Sequence, residues 1–253
     1  MDPRSRPERL LLLTVLALWG GMAGSARAQL HVSPVAVVLD GPESTQQLLV
    51  MLKAGGTTKD VTRNASYSVA NGAIARVDSH GLVEPLAEGS THLSIRQGNS
   101  TASVTLQVTG LRDPKPVSFE QQVIPLLTKA TCNSGGCHGK AEGQNGFKLS
   151  VFGFDPDADH AALTREGRGR RVLASAPGDS LLVQKAIAKV PHGGGRKIQE
   201  GSLPHRRLTR WMAEGMRDGN GGFVPEARIE VEPERVVLEP GAVQQLRVTA
   251  VDA

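Results

Sequence analysis

The sequence predicts a multidomain chain: an all-β sandwich, a small all-α domain, and the truncated start of a second sandwich. Three observations predict it. Between residues 29 and 109, short runs of alternating apolar and polar residues recur between turn residues. From Ser118 the apolar spacing changes to steps of three and four. After residue 219 the opening of the first region returns: Pro34, Val37-Val38-Leu39 and Gln46-Gln47-Leu48 match Pro233, Val236-Val237-Leu238 and Gln244-Gln245-Leu246.

Residues 1–28 read as an export signal. Arg4, Arg6 and Arg9 precede an apolar stretch from Leu10 to Ala23, and Ala26-Arg27-Ala28 fits a small-residue cleavage site. The stretch is shorter than the roughly 20 apolar residues of a spanning helix. The expected location is therefore outside the cytoplasm, in the periplasm or at the cell surface.

The first folded region spans residues 29–109. Its runs include Val35–Leu39, Gln47–Leu52, Ala65–Val69, His92–Ile95 and Ala102–Val108, separated by turns such as Asp40-Gly41-Pro42, Asn71-Gly72 and Gly98-Asn99. In the last run Ala102, Val104, Leu106 and Val108 share one face and Ser103, Thr105 and Gln107 the other, as in a half-buried strand. Residues 110–117, with two prolines, read as a stiff, exposed linker.

Residues 118–219 carry the helical pattern. Ser118 with Gln121 resembles a capping box. Phe119, Val123, Leu126 and Leu127 share a helix face, with Pro125 expected to kink it. Asp179-Ser180 is expected to cap a second helix. Leu203–Ala213 predicts a third, with Leu208, Trp211 and Met212 on one stripe and Gly215 as its stop. Residues 220–253 are a linker and a partial second sandwich. Two strands are not expected to be stable alone, so the natural protein is expected to continue past Ala253.

The formal net charge is +4 and no basic stripe is present; aromatics make up 3% of the chain. Both points disfavour a nucleic-acid partner. No nucleophile–base pair or catalytic carboxylate pair stands out, so no enzyme activity is expected of these residues.

The two cysteines stand in Cys132-Asn133-Ser134-Gly135-Gly136-Cys137-His138. Two thiols can add to the vinyl groups of a haem, and a histidine beside the second can bind its iron. Two residues between the cysteines is the usual spacing; four is the longer variant. Gly135-Gly136 would let the loop wrap close to the ring through positive φ. Two alternatives stay open: a local disulfide, which an oxidising compartment permits, and a zinc site of Cys132, Cys137, His138 and a fourth ligand. Asp155, Asp157, Asp159 and Glu166 match part of a calcium-loop count, but His160 stands where that loop needs glycine.

Two resemblances add to these readings. Asp60–Thr62, Ala65–Val69, Ile74–Asp78, Gly81–Val83 and Leu86–Ile95 resemble the bacterial Ig-like group 2 domain, which implies a spacer or adhesive sandwich. Phe119–Leu127 with Cys132, Cys137, His138 and Gly139, Asn145–Phe154, Pro191–Gly195 and Leu208–Met216 resemble the cytochrome c-like domain of large planctomycete surface proteins, flanked there by Ig-like domains. The resemblance implies haem c held by Cys132 and Cys137, His138 as proximal iron ligand, and electron transfer. His192 is the expected distal ligand, with Met216 or Met212 as rivals. Arg168 and Arg171 are candidates for haem propionate contacts. A redox protein and envelope components are the expected partners. The rival function is an adhesion or surface scaffold with a Cys132–Cys137 disulfide and no haem.

Overall fold

A computed structural model describes residues 28–218 and 227–252. Residues 1–27 of the expected signal segment and the Gly219–Gly222 turn lie outside the described residues. The first region contains ten strands: β1 (Gln29–Ser33), β2 (Ala36–Asp40), β3 (Gln46–Gln47), β4 (Leu49–Ala54), β5 (Thr57–Asp60), β6 (Ser66–Val69), β7 (Ala75–Val77), β8 (Leu82–Pro85), β9 (Gly89–Gln97) and β10 (Ser100–Thr109). They form sheets of order β1-β4-β5, β2-β10-β9-β6 and β3-β8-β7. β2 runs parallel to β10; the other pairings are antiparallel.

Alternation places the core. Val104, Leu106 and Val108 of β10 face inward with Leu93 and Ile95 of β9 and Val37 and Leu39 of β2. They meet Leu30 and Val32 of β1 and Leu48 and Val50 at β4 in one buried cluster. Val38, the odd residue of β2, stays exposed. This is period-2 patterning resolved into two packed layers.

The expected small all-α cytochrome c-like domain does not form after the sandwich. Among the described residues strand outweighs helix, the strands form four sheets, and helix is confined to short pieces. These are a π-helical turn (Phe119–Val123), α1 (Ile124–Lys129), α2 (Pro156–Thr164), α3 (Leu181–Ala186) and α4 (Leu203–Ala213), with three 3-10 turns between them. The physical reason lies in the backbone. Thr131, Asn145, Phe152, Arg168 and Ala188 all take positive φ, as do Gly143, Gly146, Gly153, Gly167, Gly169 and Gly195. Each such residue stops a right-handed helix. The pieces share one core: Phe119, Val123, Leu127, Leu149, Leu163, Val183, Ile198, Leu208, Trp211 and Met212 are all buried in it.

Local details differ from expectation in instructive ways. Pro125 lies inside a continuous helical run, in the first turn of α1, where the π-helical turn Phe119–Val123 passes into α-helix. Ser118 Oγ accepts from the Gln121 N–H at 3.2 Å, but the side chain that returns to the Ser118 N–H is Gln122. Ser180 precedes α3 without capping it; its Oγ accepts from the Leu173 N–H and donates to Met212 Sδ. α4 forms over the expected residues and Gly215 stops it at φ +90°.

The linker is pinned rather than free. Glu88 accepts from the N–H groups of Leu111 and Arg112, Val117 is buried, and Glu214 accepts from the Val117 N–H at 2.7 Å. Beside it, α4 grips the sandwich. Arg210 makes a two-pronged contact with the buried Glu43 at 2.7 and 3.0 Å, and also holds Glu214 and the Lys115 carbonyl. Glu43→Ala leaves Arg210 without its buried partner, and should cost about 2 kcal/mol. Loss of a partner from a fully buried pair costs about 3–5 kcal/mol, and Glu214 offsets part of that here. The measurement is chemical unfolding. The variant should show the sandwich and the helical segment separating into two transitions.

Residues 227–252 repeat the opening of the sandwich in three dimensions. β11 (Ala227–Glu232) pairs antiparallel with β12 (Arg247–Asp252), setting Val231 opposite Val248 and Glu232 opposite Arg247. β1 and β4 set Val32 opposite Val50 and Ser33 opposite Leu49. The sequence match therefore carries the same register. Val236 and Leu238 stay exposed where their counterparts Val37 and Leu39 are buried.

Candidate functional site

The cysteine loop begins where α1 ends. Thr131, at φ +61°, turns the chain, and the Cys132 N–H returns to the Leu127 carbonyl at 2.9 Å. The loop closes on itself: His138 N–H donates to the Cys132 carbonyl at 3.0 Å, while Cys137 and Gly139 donate to Ser134. Asn133 is fully buried at its centre, donating from Nδ2 to Thr128 Oγ1 at 2.8 Å. Its Oδ1 is buried with no partner. A Cβ at Gly139 would overlap the Asn133 carbonyl oxygen, so glycine is required there. Gly135 and Gly136 do not take the positive φ expected of them; the left-handed residue of this loop is Thr131.

Both cysteines are half-buried free thiols. Burial pushes the Cys132 thiol up to about 11; the Lys197 charge opposes this, and Cys137 adds to it. Cys132 should therefore alkylate slowly at pH 8 in the reduced, ligand-free protein. Its rate should rise about tenfold per pH unit until pH approaches 11, because the thiolate is the reactive form. Iodoacetamide labelling followed by peptide mapping checks this; a rate that levels off below pH 9 would contradict it.

His138 is held by a hairpin that follows the loop. Asn145 and Gly146 both take positive φ, the two central positions of a type I′ turn, and Gln144 and Phe147 exchange backbone hydrogen bonds across it. His138 Nδ1 lies 2.9 Å from the Phe147 carbonyl, and the two rings pack at 4.3 Å. A carbonyl can only accept, so Nδ1 carries the proton and Nε2 keeps its lone pair. Burial lowers the His138 pKa, the bond to Phe147 opposes this, and the charges of His192 and Arg171 lower it further. The neutral, ligating form is the one favoured at neutral pH.

His192 shares that arrangement. Its Nδ1 is 2.8 Å from the Gly195 carbonyl, which leaves Nε2 as the nitrogen free to bind a ligand, and a charge on its ring lowers the His138 pKa. Its loop is tied to the cysteine loop by Lys197, whose Nζ donates to Thr131 Oγ1 at 3.0 Å. The other ligand candidates sit elsewhere. Met216 is bound through its backbone to Trp211 and His160, at the end of α4. Met212 is fully buried, its sulfur accepting from Ser180.

Arg168 is exposed on a 3-10 turn. Arg171 is buried, and its guanidinium donates to the carbonyls of Ala162 and Gly146. The carboxylates of the calcium count do not surround a loop: Asp155 caps α2, and the buried Asp159 accepts from the Ser150 N–H and hydroxyl. Among the described residues no group of three or more His, Cys, Asp or Glu is arranged to hold a bare metal ion. A hollow lined by Ala28, Leu52 and Gln97–Ser100 lies on the sandwich and holds no titratable side chain.

The cysteine loop carries two free thiols and a histidine whose Nδ1 is tied to the Phe147 carbonyl, the donor set that a covalently held haem would need, and an exposed apolar turn adjoins it. The Phe152 N–H donates to the Asn133 carbonyl, and Val151, Phe152 and Phe154 on that turn are all exposed. Phe147, Lys197 and Asn133 were not singled out by sequence. The Asn145-Gly146 pair was the available signal for the hairpin that presents Phe147.

No family model matches the chain. No curated protein matches it either. Two solved structures are similar to part of it. One is the crystal structure of domains 4 and 5 of the S-layer protein SbsC, at 22% identity and TM-score 0.28, covering 32% of this chain and 50% of that one. The other is the structure of domains 5–6 of the same protein, at 22% identity and TM-score 0.28, covering 32% of this chain and 43% of that one. The chain thus spans half or less of the length of these structures. Among the described residues no helix is long and apolar enough to cross a membrane.

Proposed function

We propose that the chain is an exported surface protein whose β-sheet scaffold presents the Cys132–His138 loop for covalent attachment of one haem c and single-electron transfer. The observation that carries this reading is the state of His138: Nδ1 tied to the Phe147 carbonyl and Nε2 open, beside two free thiols. An anchored Nδ1 is how proteins fix the tautomer and direction of an iron-binding histidine.

The chain's own groups divide the work. Cys132 and Cys137 would supply the sulfur atoms of the two links. His138 would bind the iron, and His192 would be its second protein ligand. Haem c would supply a one-electron iron couple. Two histidine ligands, rather than histidine and methionine, would place that couple at lower potential. Arg168 is left as the candidate propionate contact. The reading makes the chain an electron carrier, not an enzyme.

The test is an absorption spectrum of protein produced with haem-maturation machinery. A reduced α-band that survives denaturation supports the reading. His192→Ala should then convert a low-spin spectrum to a high-spin one; an unchanged low-spin spectrum excludes His192.

One second reading has an observation of its own. Strand outweighs helix among the described residues, and α4 is bonded to the sandwich through Glu43 and Arg210. A surface scaffold with a Cys132–Cys137 disulfide and no haem would use that architecture alone. It predicts colourless protein without free thiols.

A further inference from the structure

We infer that Arg171 and Phe147 form a positioning stack that sets the direction and tautomer of His138, and that the fixed Arg171 charge favours the reduced state of the group held there. The first half rests on this chain alone. The second half rests on the haem reading.

Arg171 is 5% exposed. Its acidic neighbour Glu166 lies 3.6 Å away and is itself more than half exposed, so the guanidinium has no tight counter-ion. Burying a cation in that way is costly. What the arginine holds is the backbone that carries Phe147. Nη2 donates to the Gly146 carbonyl at 2.6 Å, Nη1 to Ala162, and the guanidinium carbon sits 4.6 Å from the centre of the Phe147 ring. The next carbonyl along, that of Phe147, accepts from the Gln144 N–H at 2.8 Å and faces His138 Nδ1 at 2.9 Å.

The contacts form one unbroken series. Arg171 fixes the peptide before Phe147 and the Phe147 ring. That ring packs on His138, and the Phe147 carbonyl takes the His138 proton donor. Glycine is required at position 143, where a Cβ would overlap the Phe147 carbonyl oxygen. A cation fixed near an iron ligand stabilises the state with one more electron, because its attraction acts through partly desolvated protein.

Two measurements test the inference. Long-range nitrogen–proton NMR of the haem-free protein should show His138 as a single Nδ1–H tautomer. Phe147→Leu, which removes the ring, should give a mixture of tautomers, and Arg171→Leu should do the same. An unchanged single tautomer in both variants overturns the positioning claim. Should Arg171→Leu fail to fold, Phe147→Leu and Arg171→Lys decide it in the same way. In haem-loaded protein, Arg171→Leu should shift the redox equilibrium about tenfold toward the oxidised state, ~59 mV for one electron. Arg171→Lys should recover most of that shift. An unchanged potential in Arg171→Leu overturns the charge claim. If the chain takes up no haem, the haem reading fails while the tautomer measurement still decides the positioning claim.

Discussion

Trp211→Ala should lower stability by about 3–5 kcal/mol, the usual cost of removing a large buried aromatic. Trp211 has no solvent exposure. Its ring lies 5.3 Å from that of Phe119 and 6.1 Å from His160, and its Nε1 donates to the Arg217 carbonyl at 2.9 Å. It therefore joins α4 to the π-helical turn that precedes the cysteine loop. Alanine leaves a cavity where two elements meet, and neither α4 nor α1 is long enough to hold its shape alone. Urea unfolding followed by far-UV circular dichroism is the measurement. The helical segment should unfold at lower denaturant while the sandwich keeps its transition. A variant with the wild-type midpoint would contradict this role for Trp211 in the core.

Replacing both cysteines by serine should abolish covalent haem attachment entirely, with little loss of stability. Both thiols are only half-buried, and the loop's closure runs through backbone bonds from Cys137, His138 and Gly139 and through Asn133. Serine preserves those bonds. Each single substitution should leave at most one link, and His138 with its Phe147 contact should remain in place. Haem staining of denatured protein on a gel, beside a thermal melt, separates the two effects. Haem retained after denaturation of the double variant would show that attachment does not use these thiols.

What sequence made legible was whatever depends on local pattern. The alternation of Ala102–Val108 became the inward and outward faces of β10, and the stripe Leu208, Trp211, Met212 became the buried face of α4. The return of Val236–Leu238 and Gln244–Leu246 was visible as text, and the β11–β12 pairing gives it a register. The expectation of an all-α domain failed because apolar spacing says where a helix could bury itself, not how far it can run. Between the helices, residues such as Thr131, Phe152 and Arg168 adopt left-handed backbone that ordinary propensity does not announce. Sequence offers Arg171, like Arg168, as a propionate contact; its burial is decided by Phe147 and Gly146, distant in sequence. The acceptor for His138 is a backbone carbonyl, which carries no sequence mark at all.

Covalent haem on the Cys132–His138 loop is decided by the intact mass of the denatured chain after production with haem-maturation machinery, measured beside the Cys132→Ser, Cys137→Ser double variant. The wild-type mass should be raised by one haem, and the double variant should lack that increment. A wild-type chain with the mass of the bare polypeptide, or lighter by two hydrogens through a disulfide, would contradict the haem assignment.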